Sequence, residues 1–356
     1  LFFSHFYKKE NIRKISNEEM IKMKRVSING LGRIGRLVLR HYFSISSKNI
    51  DIVAVNDITP VDDLAYLLNF DSVHRKPTFQ VDSNPGHLEI GGKQIAVFNE
   101  RDPLQLPWKQ NNIDIVLECT GLFTKRDDAV KHIQAGAKKV IISAPSETAD
   151  VTIVRGVNHK IYDPKKHHII SNASCTTNAL APAVKVLDDA FGIYHLLVTT
   201  VHAYTASQAL VDRSSKRWRR GRAAAVSLIP STTGAAKATA LVLPQLKGKM
   251  DALAIRAPIP DGAIVDIVAE VKTDATVETV NGAYKKAVQG EMDGVLAYSE
   301  DELVSADIIG DTHSGVIDAT LTRVVDKRMV KVGVWYDNEA GYAKKLLELA
   351  EYISNK

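Results

Sequence analysis

The sequence predicts an α/β protein built as two parts, and three observations carry that reading. Between residues 23 and 143, short apolar strands alternate with amphipathic helices, the pattern of a doubly wound parallel sheet with helices on both faces. A glycine-rich turn, Gly30-Leu31-Gly32-Arg33-Ile34-Gly35, joins the first of these strands to the first helix. After Cys175 the strands lengthen and some alternate in polarity, which suits a second part with a large mixed or antiparallel sheet carrying helices on one face.

Taken in order, Arg25–Asn29 is a short apolar strand, and Leu37, Val38, Leu39 and Tyr42 mark the buried face of the helix after the turn. Glycines in that setting permit a tight turn and a close backbone approach, so that a pyrophosphate can rest on the helix N-terminus. A second strand, Ile52–Asn56, ends at Asp57, about twenty residues beyond the glycines, where a carboxylate would bond an adenosine ribose. Together these predict a Rossmann-type dinucleotide-binding unit. Val61–Asn69 reads as a helix, and the turn residues Pro77, Asn84-Pro85-Gly86 and Gly91-Gly92 mark hairpin strands. Ile113–Leu117 is a buried strand, Asp127–Ala135 a helix and Lys139–Ser143 another strand. Arg101, Thr120 and Ser143 fall near strand ends, where ligands of such sheets bind, although any one of them alone reads more readily as a loop residue. Beyond Cys175, Leu196–His202, Leu253–Ala257, Ala263–Val271 and Met329–Tyr336 read as strands. Thr232–Val242, Val277–Gln289 and Gly341–Ile353 read as helices.

The stretch Ser171-Asn172-Ala173-Ser174-Cys175-Thr176-Thr177-Asn178 precedes an apolar-periodic segment, so Cys175 is expected in the first turn of a helix. Unpaired N–H groups and the positive dipole end favour a thiolate there; a helix cap with an inert buried cysteine is the alternative. A cysteine nucleophile needs a base within reach, and His202, which closes an apolar strand and opens Ala203-Tyr204-Thr205, is the candidate. No pair of histidines has metal-ligand spacing with a third ligand, so no metal site is expected. Lys216–Arg222 is the densest positive charge. It reads as a solvated loop, a nucleic-acid patch or an anion site for phosphate. Pro230-Ser231-Thr232-Thr233-Gly234 is expected to open a helix with further phosphate-suited donors. These two features favour a phosphorylated substrate over nucleic acid.

From Met23 onward the sequence resembles the phosphorylating, NAD(P)-dependent glyceraldehyde-3-phosphate dehydrogenases. The resemblance rests on Ile28–Arg36, Glu118-Cys119-Thr120-Gly121, Ser171–Asn178, Thr199-Thr200-Val201-His202, Arg219–Ala225, Ser231–Ala238, Trp335–Glu339 and Gly341-Tyr342. It implies oxidation of D-glyceraldehyde 3-phosphate to 1,3-bisphosphoglycerate with NAD, serving glycolysis or gluconeogenesis, with Cys175 as nucleophile and His202 as base. It implies that Thr205 and Arg256 bind the substrate's phosphate, that Ser174, Thr176, Thr233 and Gly234 bind the attacking phosphate, and that Arg219 lines these sites. Gly30, Gly32, Arg33, Ile34, Gly35, Asp57, Arg101, Thr120 and Ser143 would contact the cofactor, Asn338 would fix the nicotinamide carboxamide, and Tyr342 would pack nearby. A homotetramer is also implied.

Three departures stand out. Ala179 replaces a second cysteine that many members carry four residues after the nucleophile. Arg213-Ser214 stands where NAD-specific members have Leu-Pro. Pro258–Ala263 differs from the commoner pattern. Asp57 favours NAD, because a 2′-phosphate would meet its carboxylate, while Arg213 and Ser214 leave NADP use open. Erythrose-4-phosphate dehydrogenase, and a non-catalytic binding protein on the same fold, are the alternatives. Two cysteines and a net charge of +5 fit a reducing cytoplasm, with no dedicated nucleic acid partner and no membrane. The expected division is 23–174 for cofactor binding, 175–337 for catalysis and 338–356 as a C-terminal helix packing back on the first part. Residues 1–22 read as a disordered tail or an over-extended gene start.

Overall fold

The computed structural model describes residues 23–44 and 49–356; the expectation for residues 1–22 lies outside them. The first half runs β1 (Lys24–Asn29), α1 (Arg33–Ser44), β2 (Ile50–Asn56), α2 (Val61–Asn69), β3 (Val81–Asn84), β4 (His87–Ile90), β5 (Lys93–Phe98), β6 (Ile115–Glu118), α3 (Arg126–Gln134), β7 (Lys139–Ile142), β8 (Val151–Thr152) and β9 (Ile169–Ser171). These strands form one sheet in the order β3-β4-β5-β2-β1-β6-β7-β9-β8. From β5 to β9 every neighbouring pair is parallel, the doubly wound arrangement in which the strand order reverses beside β1. The crevice at that reversal lies beyond Asn29 and Glu118, which face each other in register. The fully buried strands read as apolar runs (Ile115-Val116-Leu117, Val140-Ile141-Ile142) because both faces are covered by helices.

The second half runs α4 (Cys175–Phe191), β10 (Ile193–Ala203), β11 (Ile229–Thr232), α5 (Ala235–Val242), β12 (Met250–Ala257), β13 (Ala263–Val271), α6 (Val277–Val288), β14 (Leu296–Ser299), β15 (Gly315–Val325), β16 (Met329–Tyr336) and α7 (Ala340–Ser354). Its strands form a second, mixed sheet, β11-β12-β10-β13-β16-β15-β14, and α4, α5 and α6 share one core with it. On the other face Leu197 and Leu253 are exposed. The last helix returns to the first sheet: Leu346, Leu347, Leu349, Ala350 and Ile353 are buried in the same core as Val26, Ile28 and Leu37.

The short strands β8, β9 and β14 are absent from the sequence reading, and two further differences have a clear physical reason. Ile229–Thr232 is a strand, and the helix begins only at Ala235. Pro230, which looks like a helix opener, is tolerated because β11 is the edge of its sheet. β15, eleven residues long, is absent from the sequence reading because Asp318 and two threonines interrupt its apolar run. Inside the fold Asp318 is buried but satisfied, accepting from the indole N–H of Trp335 at 2.9 Å and from Thr320 N at 3.0 Å.

Candidate functional site

The glycine turn sits in the crevice at the end of β1. Gly30 has φ +93°, and a Cβ there would meet Thr120 N at 2.8 Å; at Gly35 a Cβ would fall 2.0 Å from Gly30 O. Those two glycines let strand, helix and neighbouring turn close on one another. Nothing lies within 4 Å of a Cβ at Gly32, so bare backbone at the start of α1 stays open for a pyrophosphate, with Ile34 following in the first turn. Asp57 lies across the turn, accepting from Leu31 N at 2.6 Å and Thr59 N at 2.9 Å. Thr120 and Ser143 follow β6 and β7, their main-chain N–H groups bonded to Glu118 at 2.8 and 2.9 Å. Arg101 is exposed just beyond β5. The guanidinium of Arg33 is committed to ion pairs with Asp71 and Glu339, which leaves its main-chain N–H as the group to meet a cofactor.

Beneath this turn runs a buried polar chain that spacing in the sequence does not reveal. Asn56 Nδ2 donates to Asn29 Oδ1 at 2.7 Å, Asn29 Nδ2 to Glu118 Oε2 at 2.6 Å, and His132 Nε2 stands 3.0 Å from the same oxygen. Trp108 Nε1 donates to His132 Nδ1 at 3.0 Å, so the ring proton of His132 sits on Nε2 and points to Glu118. The chain links the carboxyl ends of three adjacent strands, β2, β1 and β6, and so sets the shape of the crevice above it.

Cys175 opens α4, with Ser174 as N-cap accepting from Thr177 N at 3.1 Å. Two residues earlier Ala173 holds φ +55°, a left-handed conformation costing on the order of 1–2 kcal/mol for a residue with a Cβ. That turn brings the sulfur to the end of β10, where Cys175 Sγ is 3.4 Å from His202 Nε2. On the far side of the ring, His202 Nδ1 is 2.7 Å from Ala203 O and 2.8 Å from Arg256 Nη1. Arg256 reaches it because β12 pairs with β10 in register, His202 beside Arg256. The charge state differs from the thiolate expectation. Burial pushes the Cys175 thiol up despite Arg256 and nearby N–H groups. Burial and the Arg256 charge push His202 down to about 3. Burial thus favours the thiol and the neutral imidazole more strongly than the helix end favours a thiolate.

Tyr336 is the residue at this site that the sequence reading missed. Its ring meets His202 edge-on, 5.9 Å between centroids. Its hydroxyl lies 2.9 Å from Thr176 Oγ1 and 2.8 Å from Thr200 Oγ1. It thus fixes α4, β10 and β16 to one another around the cysteine. Thr176, expected to bind phosphate, is buried with its hydroxyl turned to Tyr336, which leaves its N–H at the helix start. Ser174 Oγ is likewise occupied by Thr177.

The phosphate-suited residues fall into two groups. Thr205 Oγ1 bonds Ser207 Oγ at 3.0 Å, and Arg220 Nη1 donates to that serine at 3.1 Å. The charge of Arg220 acts on both His202 and Arg256. Arg256 Nε and Arg220 Nε are buried without hydrogen-bond partners, as donors facing an anion site would be. Arg219, by contrast, is exposed; it and Arg220 both line a groove of about 860 Å³ with Trp218, Ser231 and Thr233. Thr233 Oγ1 accepts from Ala235 N at 3.2 Å, and Gly234 caps α5 with open space beside it. Of the neighbouring arginines, then, it is Arg220 whose charge reaches His202. Tryptophan and arginine spacing alone could not distinguish the two.

Asn338 is buried, and its Oδ1 has no hydrogen-bond partner. Tyr342 donates its hydroxyl proton to Ala173 O at 3.1 Å, which ties the start of α7 to the cysteine turn. An orphaned buried amide on one side and an open glycine cradle on the other fit a nicotinamide dinucleotide.

A parallel-sheet crevice that fits NAD, joined to a second sheet carrying a cysteine–histidine pair, defines the chain as a nicotinamide-dependent dehydrogenase. Residues 24–126 match the family model for the glyceraldehyde 3-phosphate dehydrogenase NAD binding domain, and residues 174–338 match that for the C-terminal domain. The chain belongs to the glyceraldehyde 3-phosphate dehydrogenase family. It is 55% identical over 332 residues to the glyceraldehyde-3-phosphate dehydrogenase of Geobacillus stearothermophilus, covering 93% of this chain and 98% of that one. It is 52% identical to glyceraldehyde-3-phosphate dehydrogenase 1 of Bacillus subtilis strain 168, with the same coverage of both chains. Among the described residues, no helix is long and apolar enough to cross a membrane.

Proposed function

We propose that this chain oxidises D-glyceraldehyde 3-phosphate with NAD and inorganic phosphate to 1,3-bisphosphoglycerate, reversibly. The observation that carries the reading is the Cys175–His202–Arg256 line: sulfur, ring and guanidinium in consecutive hydrogen-bond reach. Cys175 Sγ adds to the aldehyde carbon while its proton passes to His202 Nε2, and the resulting N–H holds the former carbonyl oxygen. For Nε2 to accept that proton, Nδ1 must carry the other one and donate it to Ala203 O. Arg256 competes for Nδ1 until an anion engages it. A substrate phosphate on Arg256 and Thr205 therefore offsets the arginine charge that, after burial, does most to depress His202, and switches the base on where substrate is bound. Gly30, Gly32, Gly35, Asp57 and Asn338 would hold NAD, which would supply the hydride acceptor there. The thioester left on Cys175 retains the oxidation energy until phosphate attacks its carbonyl carbon and the thiol is released. Thr233, Gly234 and the N–H groups at the start of α4 supply donors for that phosphate.

The reading includes a homotetramer, supported by exposed apolar side chains on the second sheet (Leu197, Leu253) and on the segment after β10 (Leu210, Val211, Trp218, Val226, Leu228). It includes a cytoplasmic setting, without a dedicated nucleic acid partner or a membrane. The domain division 23–174, 175–337 and 338–356 belongs to the same proposal, supported by the two sheets and the return of α7. The test is turnover with glyceraldehyde 3-phosphate, with phosphate present and omitted, against erythrose 4-phosphate. Turnover indifferent to phosphate, or faster with the tetrose, defeats the reading.

A further inference from the structure

Asp261 lies in the loop between β12 and β13, within the Pro258–Ala263 segment that departs from the family pattern, and its side chain is fully buried. Oδ1 accepts only from the adjacent Gly262 N at 2.9 Å, and Oδ2 has no hydrogen-bond partner. Facing it is Asp337, buried at the end of β16. Asp337 Oδ1 accepts from Glu339 N at 2.8 Å and Ala340 N at 2.6 Å, and Oδ2 accepts from Gly310 N at 2.7 Å. Burial pushes the Asp337 carboxyl up, but three N–H donors favour its anion over that of Asp261, which has one, and they anchor the first turn of α7. One carboxyl oxygen of each aspartate and one ring nitrogen of His74 lie within 4.8 Å of one another. His74 is already shared: its Nε2 stands 3.1 Å from Glu339 Oε2 and 3.3 Å from Asp261 Oδ2. Glu339 is in turn gripped by Arg33, which also holds Asp71. One imidazole cannot satisfy three carboxylates, and two buried carboxylates in contact cannot both remain ionised.

We propose that Asp261 is a positioning residue for the nicotinamide end of the cofactor site, acting as a neutral carboxylic acid that donates its proton to Asp337. The proposal rests on reading Asn338 as the nicotinamide ligand, since Asp337 precedes it and fixes the start of the helix behind it. Burial, with the charges of Asp337 and Glu339, pushes Asp261 up to about 9. Losing that proton sets two carboxylates against each other at the junction of the β12–β13 loop with α7, and displaces Asn338.

The sign follows from linkage. Asp261 is protonated in the fold and ionised in the unfolded chain above its ordinary value of 3.8. Stability therefore falls as pH rises from that value to about 9. Asp261→Asn keeps the shape and supplies a permanent N–H donor; Asp261→Leu keeps the bulk and supplies none. Melting temperature without added cofactor is measured from pH 6 to pH 10, and KM for NAD and kcat from pH 7 to pH 10, all in the full-length protein. The wild type is expected to lose melting temperature on the alkaline side relative to Asp261→Asn. Its KM for NAD should rise about tenfold per pH unit above the Asp261 pKa, with kcat moving far less. Asp261→Asn should lack that limb, and Asp261→Leu should show a raised KM throughout. Parallel wild-type and Asp261→Asn profiles overturn the proposal. So does a melting temperature lowered by chelator and restored by Zn²⁺ or Mn²⁺, which would put a cation where the proton is placed. Asn338→Ala, measured alongside, separates the two layers. An unchanged KM for NAD in that variant removes the nicotinamide reading and the positioning role with it. A raised KM beside parallel melting profiles removes the Asp261 proposal alone.

Discussion

The glycine turn and the cysteine pocket are two ways of building a site. In the turn, six consecutive residues do the work: Gly30 and Gly35 are required by backbone contacts to their own neighbourhood, and Gly32 is required by the absence of any. In the pocket, no two of the decisive residues are local. Cys175 comes from α4, His202 from β10, Arg256 from β12 and Tyr336 from β16, and their meeting depends on strand register. A local site tolerates changes elsewhere and fails on a single methyl group. A distributed site fails when any of the elements that position it shifts.

The largest expected effect tests the chemistry of the distributed site. Cys175→Ser should lower turnover by about a thousandfold or more, because a serine hydroxyl is a far weaker nucleophile than a thiol with the same base. NAD binding, measured by fluorescence titration, should change little, since the cradle is elsewhere; parallel loss of both would merge the two regions. Next, Gly35→Ala places a Cβ 2.0 Å from Gly30 O. It should destabilise the fold by about 2–4 kcal/mol in urea titration and weaken NAD binding. Were it neutral, the contact argument for the local site would be wrong. A smaller effect is expected for Tyr336→Phe, which strands the hydroxyls of Thr176 and Thr200. About 1–3 kcal/mol of stability should be lost, with kcat falling more than KM changes; unchanged kcat would mean the pocket does not need that brace. The last effect is confined to acid pH and is smallest near neutrality; it concerns His202, held down to about 3. The unfolded chain binds a proton there that the fold refuses, so stability is lost as pH falls from 6.5 toward 3. His202→Gln should flatten that part of the acid melting profile relative to wild type.

This contrast also explains what was legible in the sequence. The dinucleotide turn, its strands and Asp57 could be read because each signal is complete within a few residues. Cys175 and His202 were recognisable through their flanking residues, but not their neutral resting state, which comes from burial by distant segments. Tyr336, Arg220 and the Asp261–Asp337 contact left no local mark. Ala173 gives no warning of a left-handed turn, because alanine is not the residue such a turn selects. β15 was hidden by Asp318, whose partner Trp335 lies on another strand, and β11 by a proline that only an edge strand accepts.

The return of α7 to the first sheet bears on how the protein is made. Leu346, Leu347, Leu349, Ala350 and Ile353 complete the core that begins with Val26 and Ile28, so the part synthesised first is finished by the part synthesised last. While the ribosome is still adding β10 to β16, the early sheet exists with an open apolar flank, a surface for chaperones to cover. Cofactor binding should accordingly appear only after residue 353 has emerged, and nascent chains stalled short of α7 should not retain NAD.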